Sequence, residues 1–135
     1  RMVTPLFVHA YGWWHACVNC AVAIIFCPLA ERLYGKKLWA LYLIPGVVGQ
    51  IFGYLWSPYL AGSSLGLAGV MGGLFAFVVL HRRELSASAQ RFAVCGIAGA
   101  VALCFWRDTH GPATVLGILL AGISMQRFGV DIEVA

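Results

Sequence analysis

Apolar residues occur in five long runs along the chain, separated by short polar stretches. Each run is close to the ~20 residues that a helix needs to cross a bilayer, and the last two are somewhat shorter. No run alternates apolar and polar residues as a membrane β-strand does. Because a backbone in lipid must satisfy its own hydrogen bonds, the pattern predicts an all-α, polytopic transmembrane helical bundle. The predicted helices cover residues 13–30, 38–57, 65–81, 92–106 and 112–126.

The composition is typical of a membrane protein and excludes a water-soluble fold. Hydrophobic residues make up 61% of the chain and charged residues only 10%, which leaves too few polar side chains to cover a surface in water. A formal charge of +4 would fit a nucleic-acid partner, but the basic residues lie in short loops beside apolar runs. That distribution orients a protein in a membrane. We therefore expect the lipid bilayer, and no nucleic acid, among its partners.

The charges of the loops predict how the helices cross the membrane. The loops at 31–37 and 81–91 are basic, whereas the loop at 57–64 carries no charge. By the positive-inside rule the two basic loops face inward, so the first, third and fifth helices enter from outside. We expect a multi-pass protein of the plasma or inner membrane. The residues at the outer ends of these three helices should meet at one depth.

Small residues recur every fourth position on the third and fifth helices. Such stripes let two helix backbones approach closely in a membrane, and we expect the two stripes to face each other. That packing would bring His110, one turn before the second stripe, within side-chain reach of Ala68 in the first. The residues expected to form the helix-packing seam, besides Ala68, are Gly66, Gly69, Gly72, Gly73, Ala113 and Gly117.

His15 and Asn19 are four residues apart and share one face of the first helix. Both side chains are costly in lipid, so we expect them to point into the bundle or a water-filled cavity. An imidazole, a carboxamide and the backbone N–H of position 68 would form a cluster of hydrogen-bond donors for a tetrahedral oxyanion. An imidazole such as that of His110 beside a serine hydroxyl would be the minimum for nucleophilic acyl transfer.

Metal, redox and transport functions have little support. The five cysteines all lie in apolar runs, and their odd number does not fit a disulfide framework, so we expect small buried thiols. A metal site of His15, Cys17 and Cys20 is a poor one, because the imidazole points away from the face that the thiols share and no second pair of thiols follows. No acidic residue lies in an apolar run to carry protons or cations. We expect no metal and no cofactor.

The order of these polar and small residues resembles that of the rhomboid intramembrane serine proteases. The parallels are His15-x-x-x-Asn19, then Gly66-x-Ala68-Gly69, then His110-x-x-Ala113-x-x-x-Gly117, with His9 upstream. The resemblance covers essentially the whole chain and implies a rhomboid-like core of six helices, of which five are present. We therefore expect one membrane domain over residues 1–135 that lacks the first helix and the loop after it.

The resemblance also implies a function and a role for each site residue. It implies a serine endopeptidase that cleaves transmembrane proteins or their peptides, with its active site facing outside. Position 68 would be the nucleophile and His110 the general base, while His15 and Asn19 would bind the oxyanion. Position 68 is alanine in this sequence, and alanine has no nucleophile. We therefore expect this chain to bind substrates without cleaving them.

Two explanations of Ala68 remain open at this point. Either a serine was replaced to trap an inactive enzyme, or the chain is a natural pseudoprotease that binds membrane clients. Ser63 and Ser64 are the candidates for a substitute nucleophile. Because they precede the glycine-rich turn, we expect them in the external loop, off the face that meets His110.

Overall fold

The computed structural model describes residues 12–56 and 62–128 of the chain, so His9 lies outside the described residues. These residues form five α-helices and one short 3-10 turn, with no strand among them, and the all-α fold class is confirmed. The 3-10 turn, Gly35–Lys37, joins the first two helices. The helices are α1 Gly12–Tyr34, α2 Leu38–Trp56, α3 Ser64–Leu80, α4 Ala87–Phe105 and α5 His110–Phe128.

The helices extend beyond the apolar runs into polar residues. The start of α4 lies at Ala87, five residues before the predicted one, because the Ser86 hydroxyl accepts the backbone N–H of Ala89 and caps the helix at 3.3 Å. The end of α1 lies at Tyr34, whose buried hydroxyl donates to the carbonyl of Gly73 at 2.7 Å. Hydropathy alone does not detect these polar ends of the helices, because hydrogen bonds and not apolar residues stabilise them.

The outer surface of the bundle is apolar, as a lipid-facing surface must be. Among the described residues, the helical stretches Gly12–Trp56 and Ala87–Phe105 are long and apolar enough to cross a membrane, and α3 is a shorter apolar helix. Large apolar side chains such as Ile24 and Phe105 are exposed on the bundle. Cys17, Cys20 and Cys95 are exposed too. The prediction that every thiol is buried inside the protein is therefore wrong, because an apolar run on the rim of a bundle faces outward.

Helix α3 is the centre of the bundle and packs against the four other helices. Its glycines face two different neighbours. Gly72 lies against the backbone carbonyl of Thr114, and Gly117 lies against the carbonyl of Gly69, which makes α3 and α5 the closely packed pair that the sequence predicted. The other glycines of α3 face α2 instead: Gly66 lies against the Tyr42 ring, Gly69 against Leu41 and Pro45, and Gly73 against Leu41.

The division between two seams follows from helix geometry. Residues three or four positions apart share a face, whereas neighbours such as Gly72 and Gly73 point about 100° apart. A segment this rich in glycine can therefore approach one helix on each side. Ala113 also contacts α2, since a Cβ atom at Gly49 would lie 3.3 Å from the Ala113 Cβ. The result is a tightly packed group of α2, α3 and α5 beneath the polar end of the bundle.

Candidate active site

His110 and Ser64 form a hydrogen-bonded pair at the end of the α3–α5 seam. Ser64 is the first residue of α3 and His110 is the first residue of α5. The Nε2 atom of His110 lies 2.9 Å from the Oγ atom of Ser64. Both residues are partly exposed. An imidazole next to a serine hydroxyl is the arrangement that activates a nucleophile by general-base catalysis.

This pairing contradicts the expectation for Ser64. The sequence pattern predicts Ser64 in the loop, off the face that meets His110, and this prediction is wrong. Helix α3 begins one residue earlier than predicted, so Ser64 stands on its first turn, where α5 also begins. Ala68 is partly buried one turn further along the same face, about 6 Å deeper along the helix axis. The structure thus brings the imidazole to a hydroxyl group at position 64.

The second nitrogen of His110 contacts a carboxylate that the sequence pattern does not indicate as a site residue. The Nδ1 atom lies 2.7 Å from Oδ1 of Asp108, and the same oxygen accepts the backbone N–H of His110 at 2.9 Å. Burial of Asp108 raises the pKa of its carboxyl group. The hydrogen bonds from the backbone and ring of His110, with the charge of the protonated ring, lower that pKa by more, so it lies below its ordinary value.

The turn that carries Asp108 has a strained backbone. Arg107 has a φ of 55°, in the left-handed region that glycine usually occupies at the end of a helix. The N–H of Asp108 donates to Leu103 at 2.9 Å and the N–H of Arg107 to Cys104 at 3.2 Å, the two hydrogen bonds of a Schellman motif. This motif ends α4 and places Asp108 at the start of α5.

Asn19 and His15 lie beside the residues that lead into α3. The Nδ2 atom of Asn19 donates to the Ser63 hydroxyl at 3.1 Å and lies 3.3 Å from Nε2 of His15. Asn19 is buried, with 6% of its surface exposed. A Cβ atom at Gly62 would lie 2.8 Å from the His15 ring, so the glycine lets the imidazole approach the backbone. Together with the contact between His110 and Ser64, these contacts bring α1, α3 and α5 together at one end of the bundle.

The polar cluster adjoins an apolar cavity of about 420 Å³ between α1, α2 and α3. Asn19 and Ser63 line the cavity together with apolar side chains such as Ala23, Leu38 and Leu67. The site therefore combines a serine–histidine pair, amide and imidazole groups, and space for an apolar group. Over residues 12–56 and 62–128, no three His, Cys, Asp or Glu side chains are grouped to hold a metal ion.

Comparisons with known proteins give the chain a family. The model of a family described as the rhomboid domain matches residues 1–129. Rhomboid-like protease 3 of Toxoplasma gondii is 32% identical over 134 residues, which cover 93% of this chain and 49% of that protein. The Bacillus subtilis protein YdcA is 37% identical over 89 residues, 63% of this chain and 44% of YdcA.

A further relative, the rhomboid protease GluP of Bacillus subtilis, is 32% identical over 87 residues, which cover 63% of this chain and 17% of GluP. The chain spans about half or less of the length of each of these relatives. No solved structure matches the chain significantly.

Proposed function

This chain belongs to the rhomboid family and is an integral membrane protein, and on that premise we propose that it is an active serine endopeptidase with Ser64 as its nucleophile. The observation that carries the proposal is the 2.9 Å contact between the Ser64 hydroxyl and Nε2 of His110. The sequence Gly62-Ser63-Ser64 has the same spacing of glycine and third residue as Gly66-Leu67-Ala68, but it ends in a hydroxyl group.

The reaction proceeds through an acyl-enzyme. The Ser64 oxygen attacks the carbonyl carbon of the scissile peptide bond while its proton passes to Nε2 of His110. The tetrahedral intermediate collapses as His110 gives this proton to the leaving amine, and an ester to Ser64 remains. A water molecule then loses a proton to His110 and attacks the ester carbon, which releases the acid product and restores the Ser64 hydroxyl.

Donors for the developing oxyanion lie on the first turn of α3 and on α1. The first backbone N–H groups of a helix have no partner within that helix, so those of α3 can receive a negative oxygen. The Asn19 amide is held on Ser63, one residue from the nucleophile, and His15 lies against Gly62. In other acyl-transfer enzymes, removal of a single donor of this kind lowers kcat by a factor of about 10²–10³.

The substrates are transmembrane proteins that are cut in or beside a membrane segment. The apolar cavity next to Asn19 and Ser63 supports this assignment, because it offers space for an apolar side chain close to the nucleophile. The basic loops, 31–37 and 81–91, lie at the C-terminal ends of α1 and α3, whereas the site lies at their N-terminal ends. This arrangement supports a multi-pass topology with the site facing outside. Water reaches the nucleophile from the same outer side, and a local Gly or Pro lets the substrate helix unwind there.

The alternative is an inactive rhomboid protein that binds membrane clients without cleavage. It is favoured by the Gly66-x-Ala68-Gly69 pattern, in which alanine would stand at the nucleophile position. The contact of His110 with Ser64 weighs against it, because the base then already has a hydroxyl partner.

Cleavage of a model transmembrane substrate by four proteins separates the two functions. We expect the unchanged chain to cleave, Ser64→Ala to lose activity by about 10³-fold or more, and Ser88→Ala, which removes an exposed hydroxyl far from the site, to keep it. Ala68→Ser should bring no gain. An inert chain that Ala68→Ser makes active would overturn the proposal and assign the nucleophile to position 68.

A further inference from the structure

We propose that Asp108 is a positioning residue that fixes the tautomer of His110, so that the site is a relay of Ser64, His110 and Asp108. This inference rests on the proposed function and deepens it. The sequence and the family resemblance imply a pair of residues only. The third residue comes from the 2.7 Å contact between Oδ1 of Asp108 and Nδ1 of His110.

The two hydrogen bonds of the imidazole determine which nitrogen carries the proton. An ionised carboxylate can only accept a hydrogen bond, so the neutral ring must donate from Nδ1 to Asp108. Nε2 then has a free lone pair and accepts the Ser64 hydroxyl at 2.9 Å. The other tautomer would carry its proton on Nε2, where it could not take the proton of the nucleophile.

Asp108 is itself held in place by the backbone around it. Its Oδ1 atom also accepts the N–H of His110 at 2.9 Å, and the Schellman motif at Arg107 fixes the direction in which the chain enters α5. The carboxylate lies at the N-terminal end of α5, where the helix dipole favours a negative charge. The carboxyl pKa lies below its ordinary value, so Asp108 stays ionised throughout the range in which an imidazole titrates.

A helix cap alone would not explain the ring contact. Capping needs only the hydrogen bond to the backbone N–H, whereas Asp108 also reaches the side chain that faces the nucleophile. Two titratable residues lie close by: Arg107 precedes Asp108 in the chain, and the sulfur of Cys104 lies beside Gly111. Within the described part of the chain the ring contacts Asp108 and Ser64 instead of these two side chains.

The solvent exposure of His110 and Asp108 determines how far the loss of the carboxylate lowers kcat. The His110 and Asp108 side chains are 39% and 43% exposed, and water weakens the interaction between exposed charges. Removal of the carboxylate from a buried catalytic triad lowers kcat by about 10⁴-fold. We expect roughly 10–100-fold here, with KM changed by less than about twofold, because the ring acts in the transition state and not in substrate binding.

The test compares Asp108→Ser and Asp108→Asn with the unchanged chain in detergent micelles. Serine keeps the helix cap but is too short to reach the ring, while asparagine keeps an acceptor without the charge. The tautomer of His110 is read from the ¹⁵N shifts of its two ring nitrogens at a pH where the ring is neutral. We expect a single Nδ1-protonated form in the unchanged chain and a mixture of tautomers in both variants, together with the loss of kcat. Thermal unfolding of each variant shows whether the loss of the helix cap has also destabilised the protein.

The outcomes distinguish this inference from the proposed function. Peptidase activity that depends on Ser64 but survives both Asp108 substitutions would overturn the positioning role and leave the function standing. An inactive chain whose Nδ1-protonated tautomer is lost in Asp108→Ser would overturn the function and support the positioning role. A ring protonated on Nε2 in the unchanged chain would overturn the positioning role directly.

Discussion

Gly117 of α5 lies directly against the carbonyl group of Gly69 on α3, with no room between them for a Cβ atom. At the same crossing of the two helices, Gly72 lies against the carbonyl of Thr114. These backbone contacts fix the separation of the two helices. The helices begin at Ser64 and His110, and their spacing holds these two side chains in hydrogen-bond contact although 46 residues separate them.

We predict that Gly117→Ala separates α3 from α5 and disrupts the active site. Overpacking a close seam costs about 1–3 kcal/mol of unfolding free energy, and a shift of about 1 Å at the reacting groups costs about 10²-fold in rate. The matched control is Gly122→Ala on the same helix, where a Cβ atom would meet nothing within 4 Å. Thermal unfolding and substrate cleavage measure both effects. Equal behaviour of the two variants would show that the seam does not set the geometry.

Asn19→Ala should lower turnover more than substrate binding. The amide is buried and donates to Ser63 beside Ser64, so in the proposed reaction its loss removes a donor for the oxyanion. We expect kcat to fall by about 10²-fold with little change in KM. Steady-state kinetics of peptide cleavage test this. Equal losses in kcat and in substrate affinity, with a lower unfolding temperature, would instead assign Asn19 to helix packing.

Arg107→Gly should stabilise the protein. Arg107 occupies the left-handed backbone region, where a side chain costs roughly 1–2 kcal/mol relative to glycine. Part of this gain is offset by the greater flexibility of glycine in the unfolded chain. We expect a higher unfolding temperature for Arg107→Gly than for Arg107→Ala, which retains the Cβ atom. The opposite order would mean that the arginine side chain holds the turn by contacts of its own.

The contribution of Asp108 to stability should disappear in acid. The pKa of its carboxyl group in the folded protein lies below the ordinary value of 3.8, so the unfolded chain binds the proton more readily. The stabilisation is complete above that value and is lost as the pH falls through the lower, folded-state pKa. Unfolding of the unchanged chain and of Asp108→Asn between pH 6 and pH 2, both chosen to bracket about 4, should show a difference that shrinks toward acid. A constant difference would exclude this linkage.

The sequence is sufficient to predict the all-α fold, the five helices and the convergence of His15, Asn19 and His110 at one end. Hydrophobic length and loop charge carry that information, because they decide where a chain can cross a bilayer and in which direction. Hydrophobic length and loop charge do not reveal the pairing of His110 with Ser64. Apolar runs mark the middle of a helix, and a shift of one residue at its start turns a side chain by about 100°.

The repeating small residues of α3 made the nucleophile position ambiguous. Gly62 and Gly66 each precede a candidate residue by two positions, and the match to Ala68 followed the longer stripe of small residues. Only the contact with His110 distinguishes Ser64 from Ala68 as the candidate position. Asp108 gives no periodic signal at all, because its position depends on the left-handed backbone of Arg107, which arginine does not predict.

Ser64 is the first residue of α3, so in the proposed reaction the products form at the end of a helix. A peptide bond cut at that level yields a new carboxylate and a new ammonium group near the boundary between lipid and water. Neither charge then has to be created within hydrocarbon, where each would be costly. One fragment remains anchored by its apolar stretch, and the other departs into the aqueous phase.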